Sequence, residues 1–417
     1  MVAAGLASFS LLYTTQAMLP DIGRAFGVGA TVASLTVSIT TGVLALTVLP
    51  VSALAERVGR TRVMAVGLGV ACLAALGAAA SPDLGVLLAF RAVDGLALAG
   101  VVAVAVGHIG SSVEPSTSGS AIGVYVSGTS VGGLIGRLVP AGVSEFASWR
   151  WAIAALAVVG AICTLLFVRL VPAAPAQPVV TRAAPLAHLR NPGVRRMCVI
   201  GLLIMGGFVG TYNYLTYRLT GHPFDLSTGA TGLVFLAYLS GTVSSTVAAR
   251  LAARLGRRRV VLASLAIALG GLALTLSSTL PLVLVGLVVF TTGFFGAHAV
   301  ASGWTSALAG QDRSHAAALY LMAYYLGSSI GGAAIGLAWS AGGWPATVAC
   351  VAGGYLIAAC TVPAAPSTGI SRRSSVRRSR SSTVPSARPR PTMTMVGTPS
   401  SSASLNFTPG ETPRRSS

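Results

Sequence analysis

Leu54-Ala-Glu-Arg-Val-Gly-Arg-Thr-Arg-Val63 and Leu251-Ala-Ala-Arg-Leu-Gly-Arg-Arg-Arg-Val260 are one ten-residue phrase written twice, with seven positions identical. Each copy lies between long apolar runs. A basic loop duplicated inside a hydrophobic chain implies two equivalent halves, each a bundle of membrane helices. That arrangement suits a protein that rocks one bundle against the other to move a solute. The repeat continues beyond the loop: Tyr125, Gly132, Gly136 and Trp149 align with Tyr320, Gly327, Gly331 and Trp344 at an offset of 195, against 197 for the loops. The halves therefore differ only by small insertions.

Composition points the same way. The 417 residues are 53% hydrophobic and 9% charged, with a mean hydropathy of +0.78. A soluble domain with so little charge would leave too much apolar surface in water. Fifty glycines suit close helix packing in lipid, where small residues let backbones approach. The net charge of +19 would suggest nucleic acid in a soluble protein. Here all the basic residues are arginines in short inter-span segments or the C-terminal stretch, a pattern of membrane orientation. Cys72, Cys163, Cys198, Cys350 and Cys360 all fall in apolar segments with no paired spacing. They read as small buried hydrophobes, with no metal site and no disulfide framework.

A spanning helix needs about 20 apolar residues. Such runs occur at 2–20, 31–53, 63–80, 84–107, 119–141 and 151–171, then at 197–217, 228–248, 260–277, 282–306, 316–338 and 345–363. The first has no basic residue before it and eleven spans after it, so it reads as a helix rather than a signal peptide. Its position at the very start points to an initiation codon further upstream. With the N-terminus inside, the inner connections hold fourteen arginines, and the outer ones only Arg24, Arg150 and Arg218. That bias predicts both termini in the cytoplasm. Trp149, Trp151, Trp339 and Trp344 at outer ends, and Trp304 near an inner one, are expected as interfacial anchors. The expected organisation is an N-terminal six-helix bundle at 1–172, a cytoplasmic linker at 173–195, a C-terminal six-helix bundle at 196–363 and a disordered basic Ser/Pro/Arg-rich tail at 364–417.

The loop resembles the signature of the major facilitator superfamily, which lies between the second and third helices of that fold. Leu54, Arg57, Gly59 and Arg60 match it. Arg91-Ala-Val-Asp94-Gly95 resembles the family's fourth-helix element. Gly128-x-x-x-Gly132-Gly133-x-x-Gly136 is similar to its fifth-helix antiporter element, with Arg137 where a last glycine is usual. The resemblance covers residues 1–363. Tyr125-Val-Ser-Gly128, Ser148-Trp-Arg150 and Tyr324-Tyr-Leu-Gly-Ser-Ser329 are closest in kind to bacterial twelve-helix proton-linked drug or sugar efflux permeases. It implies an all-α membrane protein of twelve transmembrane helices in two pseudo-symmetric six-helix bundles, working by alternating access.

Candidate residues follow. Glu56, Arg57, Gly59 and Arg60, with Arg254, Gly256 and Arg257 in the second copy, are either topology signals or a conformational latch, and the resemblance favours the latch. Asp94 is the one acid well inside a span. A buried carboxylate is costly, so it either pairs with Arg91, three residues earlier on the same helical face, or takes up protons. His298 is a packing residue or a second stop on a proton path. Arg137 either snorkels to the interface or faces the cavity as an anion contact. The resemblance makes the first, fourth, seventh and tenth helices cavity walls, so Gln16, Asn213 and Tyr214 are expected there, with Tyr324 in an aromatic stripe on helix eleven.

The expected function is proton-coupled efflux of a small organic solute across a bacterial inner membrane. Uptake by proton symport, or a transport-inactive membrane sensor, are the alternatives. The partners are the solute, protons and lipid, with no nucleic acid and a monomer expected. No cofactor or metal is called for. Scattered histidines and acids offer no constellation for a membrane enzyme.

Overall fold

The computed structural model describes residues 1–172, 185–310 and 313–363. Most of the expected linker and the whole of the expected 364–417 tail lie outside the described residues. Ten segments are long and apolar enough to cross a membrane. They are α1 (Val2–Phe26), α2 (Ala30–Val58), α3 (Arg60–Ala79), α4 (Leu84–Gly110), α5 (Ser120–Phe146, within a helix that starts at Pro115), α6 (Trp149–Leu170), α7 (Pro192–Thr220), α8 (Thr228–Leu255), α10 (Leu280–Leu308) and the long final helix. An eleventh, α9 (Arg257–Leu274), opens on three arginines yet is long enough, at about 1.5 Å per residue, to cross most of the hydrocarbon. The final helix, Arg313–Thr361, breaks at Gly342 and Gly343, whose φ of −155° and 61° are not helical. This break makes α11 (313–341) and α12 (344–361), twelve spans in all. No strand occurs among the described residues.

Several helices overrun the apolar runs that announced them. α1 continues to Phe26 and α2 to Val58, because the backbone keeps its hydrogen bonds by staying helical to the water boundary.

Each copy of the duplicated loop turns on one glycine. Gly59 (φ 108°) ends α2 and starts α3, and Gly256 (φ 89°) ends α8 and starts α9. Residues with a Cβ rarely adopt those angles. At Gly256 nothing lies within 4 Å of a notional Cβ, so the backbone angle, rather than crowding, requires the glycine. The two turns mark one end of the bundle, termed here the basic end. The opposite end, termed the far end, carries the α1–α2 and α7–α8 turns.

Glycine seams repeat the same way. On α5, Gly128, Gly132 and Gly136 lie against the backbone of Val2, Leu6 and Ser10 on α1. On α11, Gly327 and Gly331 lie against Leu202 and Gly206 on α7. The small-residue spacing lets two helices touch backbone to backbone. The Leu6–Gly132 contact in one half has its counterpart in Leu202–Gly327.

At the far end the two halves solve one capping problem with different arginines. Arg150 donates to the carbonyls of Ala79 (3.3 Å) and Ser81 (2.7 Å) at the close of α3, with its guanidinium 4.2 Å from the Trp149 ring. In the second half Arg218, from α7, donates to Thr275 O and Ser277 O at the close of α9, and Trp344 Nε1 also donates to Thr275 O (3.0 Å). Trp344 is thus a buried cap and Trp149 is buried beside the Arg150 cap, so neither is the expected interfacial anchor; Trp304 is buried as well, while Trp151 is 66% exposed. Cys350 and Cys360 are exposed too, contrary to the expectation of five buried thiols; Cys72, Cys163 and Cys198 are buried. A coat of exposed Leu, Val and Ile, among them Leu46, Leu73, Leu165, Val243 and Leu337, covers the outside of the bundle, as lipid contact requires.

The seams make a prediction. Gly132→Ala and Gly327→Ala should each destabilise the protein by about 1–3 kcal/mol, since the added methyl meets backbone that cannot yield. Gly123→Ala, where nothing lies within 4 Å, should leave thermal stability in detergent unchanged or improved. Equal melting temperatures for all three variants would show that the seams do not hold the halves.

Candidate transport site

The site begins where α1 stops being a helix. Its regular part ends at Leu12, Tyr13 takes φ −110° and ψ 17°, and a short 3₁₀ turn runs from Gln16 to Met18 before the helix resumes. A break of this kind strips carbonyls of their helical partners deep in the protein, where unsatisfied backbone is expensive. Arg91 on α4 supplies donors to two of them, and Leu11 O also accepts from Thr14 Oγ1 (2.8 Å). Its Nη1 donates to Leu11 O (3.1 Å), its Nη2 to Leu12 O (2.7 Å) and its Nε to Thr36 O on α2 (3.0 Å). Its Nη1 also pairs with Asp94 Oδ2 at 2.5 Å. Both side chains are almost wholly buried, at 2% and 1% exposure. The other carboxylate oxygen, Asp94 Oδ1, is buried with no hydrogen-bond partner. Both pairing and burial therefore hold for Asp94, and one of its acceptor sites is left empty.

Just past the break, three of the expected cavity residues meet. Arg137 Nε on α5 donates to Gln16 Oε1 (2.8 Å), and Gln16 Nε2 donates to Asn213 Oδ1 on α7 (2.8 Å). This chain crosses from one half to the other. Arg137 also donates from Nη1 to Gly133 O (2.5 Å). Its guanidinium lies 4.2 Å from the Tyr13 ring centroid, 4.6 Å from Tyr238 and 5.3 Å from Phe235. At 3% exposure it does not snorkel; the anchor reading of Arg137 is wrong. Tyr13, Phe235 and Tyr238 were missed in the sequence because aromatic residues in apolar spans look like packing, and only the fold turns them toward one cation.

Tyr214 is not a cavity wall in this conformation. Its hydroxyl donates to Gly332 O (2.8 Å) and lies 3.1 Å from Ser34 Oγ, in a joint between α2, α7 and α11. The joint continues toward the far end. Thr31 Oγ1 donates to Gly336 O, Tyr217 OH to Leu19 O, and Thr228 Oγ1 to Asp21 Oδ1. Glu145 Oε2 accepts from Gly229 N (2.8 Å) at the start of α8, where a carboxylate meets the positive end of a helix. Nothing in the sequence around Glu145 signalled that role, since its partner is a backbone amide in the other half.

His298 on α10 belongs to an aromatic cluster of the second half. Its Nδ1 is 3.0 Å from Tyr320 OH, and its ring sits 4.5 Å from Tyr324 and 6.0 Å from Phe294. The expected stripe on α11 therefore does face α10. At the basic end Arg60 Nη1 donates to Gly107 O of α4 (3.1 Å), tying the first loop to a neighbouring helix end. Glu56 is half-buried, and Arg57, Arg254 and Arg257 are exposed. No group of three metal-ligating side chains occurs among the described residues.

Comparison with known proteins matches this architecture. The family model of the Major Facilitator Superfamily matches residues 1–245 and 219–405. The chain belongs to the major facilitator superfamily. It is 37% identical over 350 residues to the inner membrane transport protein YnfM of Escherichia coli, covering 82% of this chain and 84% of that protein. It is 33% identical over 362 residues to the uncharacterized MFS-type transporter YybF of Bacillus subtilis, covering 85% and 90%. The crystal structure of the nucleoside transporter NupG shares the fold at a TM-score of 0.70 and 14% identity, covering 87% of this chain and 96% of that one. The chain is thus a multi-pass membrane transporter of this superfamily, not an enzyme.

Removing one member of the buried pair should be costly. Arg91→Met strands Asp94 and uncaps Leu11 and Leu12, an expected loss of about 3–5 kcal/mol, read as a fall in the monodisperse fraction recovered from membranes. Adding Asp94→Leu should recover part of that loss. A stable Arg91→Met single variant would show that the α1 break does not depend on this clamp.

Proposed function

We propose that this transporter is a proton-coupled exporter of small organic solutes, working by alternating access between halves at 1–172 and 196–363. The observation that carries the reading is the Asp94–Arg91 pair. A carboxylate with one empty acceptor site is bonded to the arginine that clamps the α1 break, one turn from the Gln16–Asn213 bridge between the halves. Protonation of Asp94 weakens its hold on Arg91, and Arg91 is what fixes the α1 carbonyls beside the bridge. A proton and the joint are thereby linked through one guanidinium. His298, facing Tyr320 and Tyr324, is the second titratable group of this path.

Orientation rests on the arginines. With the basic end in the cytoplasm of a bacterial inner membrane, fourteen arginines lie inside against three outside. The far-end joint then lies on the periplasmic side, where it ties the two halves together. Arg60, bonded to the end of α4, is the latch that changes partners when the basic end closes. Export is favoured by the α5 glycine element, whose Gly128, Gly132 and Gly136 form the α1 seam and resemble the antiporter motif. Uptake by symport uses the same residues and is the alternative outcome of the flux experiment.

Purified protein in proteoliposomes, with an imposed pH gradient and a solute library, tests the reading. Solute should move against its own gradient, in the direction opposite to the proton. Movement in the same direction makes the protein a symporter, and movement indifferent to pH removes the coupling. Asp94→Asn, which keeps shape and removes the titrating group, should abolish pH-driven accumulation and retain downhill exchange. Full pH-driven transport by that variant would exclude Asp94 from coupling.

The latch has its own measurement. Arg60→Ala should insert normally yet transport more slowly, and wild-type rates at equal membrane abundance would reduce the loop to a topology signal.

A further inference from the structure

Arg137 is a buried cation without a counter-ion. Among the described residues every acid is engaged or distant: Asp94 with Arg91, Asp21 with Arg24 and Thr228, Glu145 with Gly229, Asp83 with Val86 N, and Asp225 beside His222. Glu56 and Glu114 lie at the basic end. Arg137's own oxygen partners, Gln16 Oε1 and Gly133 O, are neutral and occupy Nε and Nη1. Nη2 donates to no oxygen. Three aromatic rings soften the charge through their π faces but accept no conventional hydrogen bond.

Two side-chain groups close to it are unpaired and can donate. Asn213 Nδ2, one link along the Gln16 bridge, has no acceptor, and the Tyr238 hydroxyl, on a ring stacked over the guanidinium, has no partner. A site whose surplus is hydrogen-bond donors and one positive charge is complementary to a group that only accepts and is negative. A planar carboxylate matches the guanidinium fork, and the Tyr13, Phe235 and Tyr238 rings make the surroundings of that fork aromatic.

We propose that the transported solute is an amphipathic organic anion whose carboxylate is bound by Arg137. This rests on the transport reading above and narrows it to a substrate class. It also gives binding a mechanical effect. A carboxylate that engages Arg137 competes with Gln16 Oε1, and Gln16 is the residue that bridges to Asn213 in the other half. Binding therefore loosens the bridge at the level where the halves must part.

The experiment is a thermal-stability series on the purified full-length protein in detergent. Three matched sets of probes are used: carboxylates from acetate through benzoate to 2-naphthoate, the corresponding primary amides, and the corresponding amines. Chloride is titrated alone. The expected result is a concentration-dependent rise in Tm with the apolar carboxylates and none with the amides, amines or chloride. Arg137→Gln should weaken the carboxylate response by about tenfold or more, and Arg137→Lys, which keeps the charge, should retain part of it. If Arg137→Gln does not fold, the Lys variant and the wild-type series still decide. Amides or amines that stabilise as well as carboxylates overturn the anion class and leave the transporter reading intact. A response to chloride alone, a carboxylate response unchanged in both variants, or no response to any carboxylate also overturns the proposal. The transporter reading stands or falls separately on solute flux in proteoliposomes.

Discussion

The break in α1 and the arginine that satisfies it govern much of the rest of the structure. In hydrocarbon, a helix that stops must hand its carbonyls to a donor from elsewhere in the chain. Arg91 takes two carbonyls of α1 and one of α2, and its remaining charge is balanced by Asp94. Because that clamp holds, the chain can turn at Tyr13 and present Gln16 to the second half. The buried carboxylate of Asp94 and the irregular backbone of α1 are tied together by one set of hydrogen bonds, four residues from the contact between the halves.

The fold was largely legible because it is written twice. The loop glycines, Gly59 and Gly256, require the same positive φ. The α5 and α11 glycines require the same backbone contact, so each repeated residue carries a geometric demand of its own. Where the halves diverge, the sequence was silent. The α3 and α9 ends are capped by arginines from different helices, Arg150 and Arg218, and no alignment of one half on the other reveals that substitution. The tryptophans beside them looked like lipid anchors because their position at helix ends is the same whether they face lipid or a cap.

The site was legible in part and for an uneven reason. Asp94, Arg91 and Arg137 stood out as charges in apolar spans, where any charge must have a purpose. Gln16 and Asn213 followed from the helices expected to line the cavity, and the structure puts them in contact. Tyr214 followed from the same argument and lies instead in the joint, since successive residues of a helix face directions about 100° apart. Tyr13, Phe235, Tyr238 and Glu145 had no signal at all. Their roles depend on partners in distant spans or on backbone atoms, which composition and spacing do not encode.

The joint at the far end is built from hydroxyls, amides, carbonyls and two carboxylates that meet neutral donors of the other half, Asp21 also pairing with Arg24 of its own half, with no ion pair between the halves among the described residues. Arg24 is paired with Asp21 of its own half, and Arg150 and Arg218 are committed to capping helices of their own halves. Separating such a surface exposes groups that water can satisfy, so each of these hydrogen bonds adds only a small net stability to the joint. Opening this joint therefore separates no ion pair between the halves among the described residues, and the charge that is most deeply buried, at Arg91, Asp94 and Arg137, stays within the first half.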